Sequence, residues 1–222
     1  MELVKTVLRL DLGEAFNPWL ELRKVIREAV EKDTVEIQGP PMVMDIPEKK
    51  QRVEFHIRSL VFQQEGTASI NETVDIALRK VEGINRESRI PRINKLVYES
   101  EFIEPYSLPF HEMLLLIKER FLVSNSTVEP ATDVALIFDQ AREGVLKHMH
   151  FGPMEREQLL SAFLIYKPSE IPDNFIFLLN RYEISKNVDY SATILKEFLD
   201  NATNWQTENA SSLFNYLKQK GI

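Results

Sequence analysis

Cysteine is absent from all 222 residues. Disulfides, cysteine-ligated zinc or iron–sulfur centres and thiol nucleophiles are therefore excluded. Glycine is scarce: the seven residues never cluster, so no backbone loop is available to cradle nucleotide phosphates. No G-x-G-x-x-G, Walker, H-E-x-x-H or G-x-S-x-G pattern occurs. No apolar run approaches the roughly 20 residues that cross a bilayer. Met1-Glu2-Leu3-Val4-Lys5-Thr6 leads into alternating charge rather than the apolar stretch of a signal peptide. A cytoplasmic location without membrane association is expected. Positive charge is also in deficit, with 27 Lys and Arg against 34 Asp and Glu and a net charge of −7. That balance argues against a global nucleic-acid surface.

What is present is patterned for a mixed fold. Val4, Thr6, Leu8, Leu10 and Leu12 alternate with Lys5, Arg9 and Asp11, which predicts a strand with one face on a core. Asn17-Pro18 suits a helix start, and Trp19, Leu22, Ile26 and Val30 recur at helical spacing over 18–31. Residues 34–38 read as a short strand and 52–63 as one long strand with Val53, Phe55, Ile57 and Val61 in phase. Ser69-Ile70-Asn71-Glu72 is a capping box, opening a helix that Gly83 can end. The polar, basic stretch 84–91 reads as a linker. A strand from about Arg92 to Ile103, an apolar helix over 109–122, a hairpin turning at 141–144, a strand over 175–185 and a helix over 191–219 follow. Residues 153–166 fit either a helix or a strand.

The order repeats. Pro18-Trp19-Leu20-Glu21 aligns with Pro109-Phe110-His111-Glu112, and without a gap an Ile and a second Glu also coincide. The expectation is an α+β fold built from internally duplicated halves. Residues 1–84 read βαββα; residues 85–222 read βαβββα and end in the long helix. The two halves would share one twisted antiparallel sheet with helices packed on one face and the other face free and concave. A helix as apolar as 109–122 needs cover on most sides, from the sheet, the C-terminal helix or a second copy of the chain.

Chemistry is thinly signalled. His148 and His150 stand at i and i+2 of a strand, so both imidazoles point one way and could share a metal, given a third ligand from Glu143, Glu155 or His56. Glu99 and Glu101 share a strand face, and Tyr98, Tyr106, Tyr166 and Tyr182 are candidates to line a concave pocket. The stretch 79–95 carries six cations, Arg79, Lys80, Arg86, Arg89, Arg92 and Lys95, against Glu82 and Glu87. Arg86, Arg89 and Arg92, with Tyr106, are the candidate ligand or anion contacts. That stretch has no aromatic platform for bases. His111 reads as a helix-end surface residue, and no resident cofactor is expected.

Phe102-Ile103-Glu104-Pro105-Tyr106-Ser107-Leu108-Pro109-Phe110, running into an apolar helix, resembles the strand–Tyr-Ser/Thr–aromatic–helix passage of a sporadically distributed, uncharacterised prokaryotic family of similar length. The strand Phe175-Ile176-Phe177-Leu178-Leu179-Asn180-Arg181-Tyr182, before the long C-terminal helix, is similar in order. The resemblance implies an order of elements and no activity. The doubled βαββα order also resembles the TATA-binding-protein-like saddle, which is fold-level analogy alone. The expected function is a non-enzymatic binding or interaction module. It would meet a protein partner, most simply a second copy, through the concave sheet face or the apolar helix. The alternatives are a small-ligand-binding or metal-dependent enzyme using His148 and His150, and nucleic-acid binding through 79–95.

Overall fold

A computed structural model describes residues 1–16, 37–38, 42–66, 69–122, 130–161, 163, 171–219 and 221. The helix expected over 18–31, the strand start at 34–36 and the alignment of the two Pro-led helices lie outside the described residues. Nine strands and four helices are present among them. They are β1 (Glu2–Leu12), β2 (Ile37–Gln38), β3 (Met42–Ile46), β4 (Gln51–His56), β5 (Ser59–Glu65), α1 (Ile70–Glu87), β6 (Ile93–Pro105), α2 (Phe110–Phe121), β7 (Leu136–Arg142), β8 (Val145–Glu155), α3 (Arg156–Leu160), β9 (Asn174–Val188) and α4 (Ala192–Gln219).

The strands form one sheet in the order β2-β3-β4-β5-β1-β6-β9-β8-β7, with every neighbouring pair antiparallel. Reading outward from the central β1/β6 pair, each half runs first strand, last, next to last and third from last: β1-β5-β4-β3 and β6-β9-β8-β7. The α+β, antiparallel architecture is as expected.

Strand alternation divides the side chains between two faces. Leu8, Leu10, Val53, Phe55, Leu60, Phe62, Leu96, Tyr98 and Tyr182 pack under α1 and the first half of α4, with Val74, Val81, Leu195, Phe198 and Leu199. Phe102, Leu178 and Phe151 pack under α2 and the end of α4, with Met113, Ile117, Phe214 and Leu217. Between these clusters runs a row of polar residues in register: Gln51, Gln64, Thr6, Ser100 and Asn180. Ser100 and Asn180 are wholly buried. Gln206 of α4 sits over the row, its Nε2 donating to the carbonyls of Tyr98 (2.9 Å) and Asn180 (3.2 Å). Asn209 Nδ2 donates to Asn180 Oδ1 at 2.7 Å. The amide nitrogens of the row are thus bonded, as burial requires, whereas Gln206 Oε1 and Ser100 Oγ are buried without a hydrogen-bond partner among the described residues.

The opposite face carries only α3 among the described helices. A bulge at Leu3/Lys5 in the β1–β6 pairing sends Leu3 to the helix-side cluster and Val4 to the other. There Val4, Ile103, Phe175 and Phe177 are capped by Leu159, Phe163 and Ile171 from the β8–β9 connection.

Several expectations are corrected. The supposed long strand 52–63 is the β4–β5 hairpin, turning at Ile57-Arg58. A two-residue turn reverses the inward phase, so Phe55 faces Leu60. Phe55 and Leu60 are buried, while Ile57 is 73% exposed. β3 was not read as a strand. α1 passes through Gly83 to Glu87 and stops where Ser88 N–H bonds the Ile84 carbonyl at 2.8 Å. Asn85 Oδ1 then accepts from Ile90 N–H at 2.9 Å, and Ile90 is buried in the core; 84–91 is therefore no linker. Residues 153–155 complete β8 before α3 begins. α4 is unbroken at 201–204, where Thr203 Oγ1 donates back to the Leu199 carbonyl at 2.7 Å. α2 lies against β8 and the end of α4, with Leu115 turned outward and 59% exposed. No described helix is long and apolar enough to cross a membrane.

Candidate interaction face

The sheet face opposite α1, α2 and α4 is built of ion pairs. Asp45, Arg52, Gln63, Val7, Glu99, Arg181, His148 and Asp139 stand in register across eight strands. Arg52 forks onto Asp45, with Nε and Nη2 donating at 2.6 and 2.8 Å. Arg181 lies between Glu99 (3.4 Å) and Glu183 (3.2 Å). Lys95 pairs with Glu183 at 2.7 Å and Arg9 with Asp11 at 2.6 Å. Each exposed pair contributes only about 0.2–1 kcal/mol, but together they neutralise the face. Charges already bonded to one another offer little free field to a ligand.

Deeper on this face, Lys5 stands in register between Glu65 and Glu101. Glu65 is fully buried and Glu101 nearly so. Lys5 Nζ is 3.4 Å from Glu101 Oε1, with the Phe163 ring 5.6 Å away. Burial pushes the Glu101 carboxyl above its ordinary range, and Lys5 only partly offsets it.

His148 and His150 do share this face, as the spacing predicts. His148 Nδ1 lies 2.6 Å from Asp139 Oδ1 on the adjoining strand. His150 sits opposite Ile137, edge-on to Phe177. Burial, then the neighbouring His148, lowers its pKa. The suggested third ligands do not converge on them. His56 is on β4, five strands from β8, roughly 24 Å at the usual strand spacing. Glu155 ends β8, and Glu143 is in the β7–β8 turn. Among the described residues no three of His, Asp and Glu come together to hold a metal ion.

The four candidate anion contacts divide among three places. Arg89 and Arg92 line a cleft of about 520 Å³ with Asn85, Tyr190, Glu14 and Asp189. Arg92 Nε is 3.3 Å from Asp189, and two carboxylates there match two guanidiniums. Arg86 is in the last turn of α1. Tyr106 follows the far end of β6, roughly 40 Å from Arg92 along a 13-residue strand. Its ring packs with the α2 cluster, and burial, then Glu104, raises its pKa. The basic stretch 79–95 is divided too: Arg79 and Lys80 belong to α1, whereas Lys95 is on the ion-paired face. Tyr98 and Tyr182 face the helices, not a concave pocket, and Tyr166 lies outside the described residues. His111 is exposed beside Glu112.

Sequence reasoning missed the edge of the sheet. β7 is the last strand, and all but its first residue are exposed. Ile137 is 59% exposed on the ion-paired face and Phe138 48% exposed on the side of α1, α2 and α4. Phe138 stacks on Phe151 (6.1 Å), Phe121 meets Phe151 edge-on (5.6 Å), and Tyr216 meets Phe121 (6.0 Å). This chain of rings runs from the open edge to the exposed Tyr216 of α4. At the opposite side of the sheet the last described strand is β2, of which Ile37 and Gln38 are described.

Neither the protein-family models nor the curated proteins compared with this chain give a match.

Proposed function

We propose that the protein is a cytoplasmic, non-enzymatic interaction module whose working surface is the β7 edge and its flanking apolar side chains. One observation carries this reading: β7 is a seven-residue edge strand with no neighbour on its outer side among the described residues and with Ile137 and Phe138 exposed. Long apolar edge strands left open are templates for strand addition. The ion-paired face beside it supports binding at the edge over binding on the face. The matched strand order of the two halves further supports a tandem origin of the saddle-like kind.

The reading makes a direct demand. The Glu143-Gly144 turn has positive φ at both residues (52° and 79°) and joins the paired Arg142 and Val145, as in a type I′ hairpin. Its turn hydrogen bond makes 142/145 a bonded pair. By alternation, the N–H and C=O groups of Ile137, Asp139 and Ala141 point away from β8. Proline at 141 therefore blocks the outer ladder and leaves the inner one intact. Panning a phage-displayed peptide library should enrich extended, alternating apolar peptides that bind the wild type and not Ala141→Pro. Enriched peptides indifferent to that substitution, with its melting temperature unchanged, would refute the reading.

A further inference from the structure

We infer that the strand accepted by this edge is β7 of a second copy, paired antiparallel about Gln140. The inference rests on the proposed role of the edge and names its occupant. Two identical edges join antiparallel only through a two-fold axis perpendicular to the sheet, which keeps helix face beside helix face. Directly opposed residues then project to the same side, so odd positions meet odd positions and even meet even. The outward-pointing groups, at 137, 139 and 141, satisfy the same parity.

Strand length and charge then select the register: centring on Ile137 sets only residues 136–138 of the two strands opposite each other. Centring on Asp139 sets two carboxylates directly opposite each other, and centring on Ala141 sets Asp139 against the partner's Glu143. Both are unfavourable. Centring on Phe138 sets Ile137 against the partner's Asp139 and leaves Arg142 beyond the end of the partner's strand. Centring on Gln140 sets Phe138 against the partner's Arg142 twice over. The guanidinium can lie on the exposed ring face, Asp139 meets only Ala141, the two Gln140 amides face each other, and the acid opposite Ile137, the partner's Glu143, lies past the strand end in the turn. Gln140 then occupies a non-hydrogen-bonded pair, in which Cα atoms approach to about 4.5 Å.

The chain has no cysteine, so one introduced thiol reports one contact. A Cα separation of about 4.5 Å is within disulfide range. Under mild oxidation Gln140→Cys should cross-link between chains at least about ten-fold faster than Asp139→Cys or Phe138→Cys, which would sit on the axis in the competing registers. Sedimentation equilibrium of the wild type should show a concentration-dependent dimer. Arg142→Glu should weaken it roughly ten-fold, and Ala141→Pro should abolish it. A strict monomer at high concentration, faster coupling at 138 or 139, or a dimer indifferent to Ala141→Pro would overturn the self-pairing. Displayed peptides that still bind the edge of a monomeric protein would leave the edge reading standing and remove only the second copy.

Discussion

Lys5 Nζ lies 3.4 Å from Glu101 Oε1, on a face where both side chains are nearly covered and Phe163 closes over the cation. The pair is central to the sheet, because β1 and β6 join the two halves. Removing only the cation leaves the buried Glu65 and Glu101 with a lost counter-charge, and breaking a buried pair in this way costs about 3 kcal/mol. Lys5→Met should therefore lower the urea midpoint strongly. Glu101→Gln keeps the shape and removes the charge that burial disfavours, so it should be stabilising at pH 7. Equal losses from both substitutions would contradict this account.

The pH dependence has a definite sign. Burial raises the Glu101 pKa in the folded chain, so its stabilising contribution is full in acid. That contribution is lost as pH rises from the ordinary carboxylate range through the raised folded value. Glu104 behaves oppositely. Burial works against its ionisation, but Lys218 at 2.5 Å and the Met1 amino group outweigh it and lower its pKa. Its contribution is present above the ordinary carboxylate range and lost as pH falls through the depressed value. Urea unfolding over a pH series should show Glu101→Gln more stable than the wild type at pH 7 and converging with it in acid. Parallel curves would show that Glu101 is not strained by burial.

Gln206 is fully buried and ties α4 to two sheet carbonyls through Nε2. Gln206→Leu removes both hydrogen bonds at similar volume and should cost about 1–2 kcal/mol. The expected readout is a lower urea midpoint with an unchanged slope. No loss would mean that the polar row beneath α4 contributes nothing to the docking of that helix.

Gly152 is fixed by space. A Cβ there would meet the Val134 carbonyl oxygen at 2.5 Å, and that atom is backbone leading into β7. Gly152→Ala should cost about 1–3 kcal/mol by overpacking. It should also shift the amide resonances of β7 before those of β1. A silent substitution would indicate that the 134–135 segment yields freely.

The parts legible in the sequence were those with strong local signals. FIFLLNRYEIS marked β9, the turn residues 141–144 marked the β7–β8 hairpin, whose turn narrows to Glu143-Gly144 because Ala141 and Arg142 still pair in β7, and the Ser69 cap marked the start of α1. Ile57-Arg58 carries no Gly, Asn or Pro, so the β4–β5 turn was silent and two strands were read as one. That His148 and His150 share a face followed from period two; that no third ligand reaches them is set by distant strand order. The pairing of Lys5 with Glu101, and the exposure of Ile137 and Phe138, depend on which strand lies beside which. Local pattern predicts a strand well and its neighbour poorly.

Strand addition at β7 would be self-limiting. A two-fold axis joining two such strands would use up both of them. A foreign segment laid along β7 would cover the same row of outward backbone groups. Either way one occupant would fill the apolar edge and pass no free strand on to a next, which is the step a growing fibre requires.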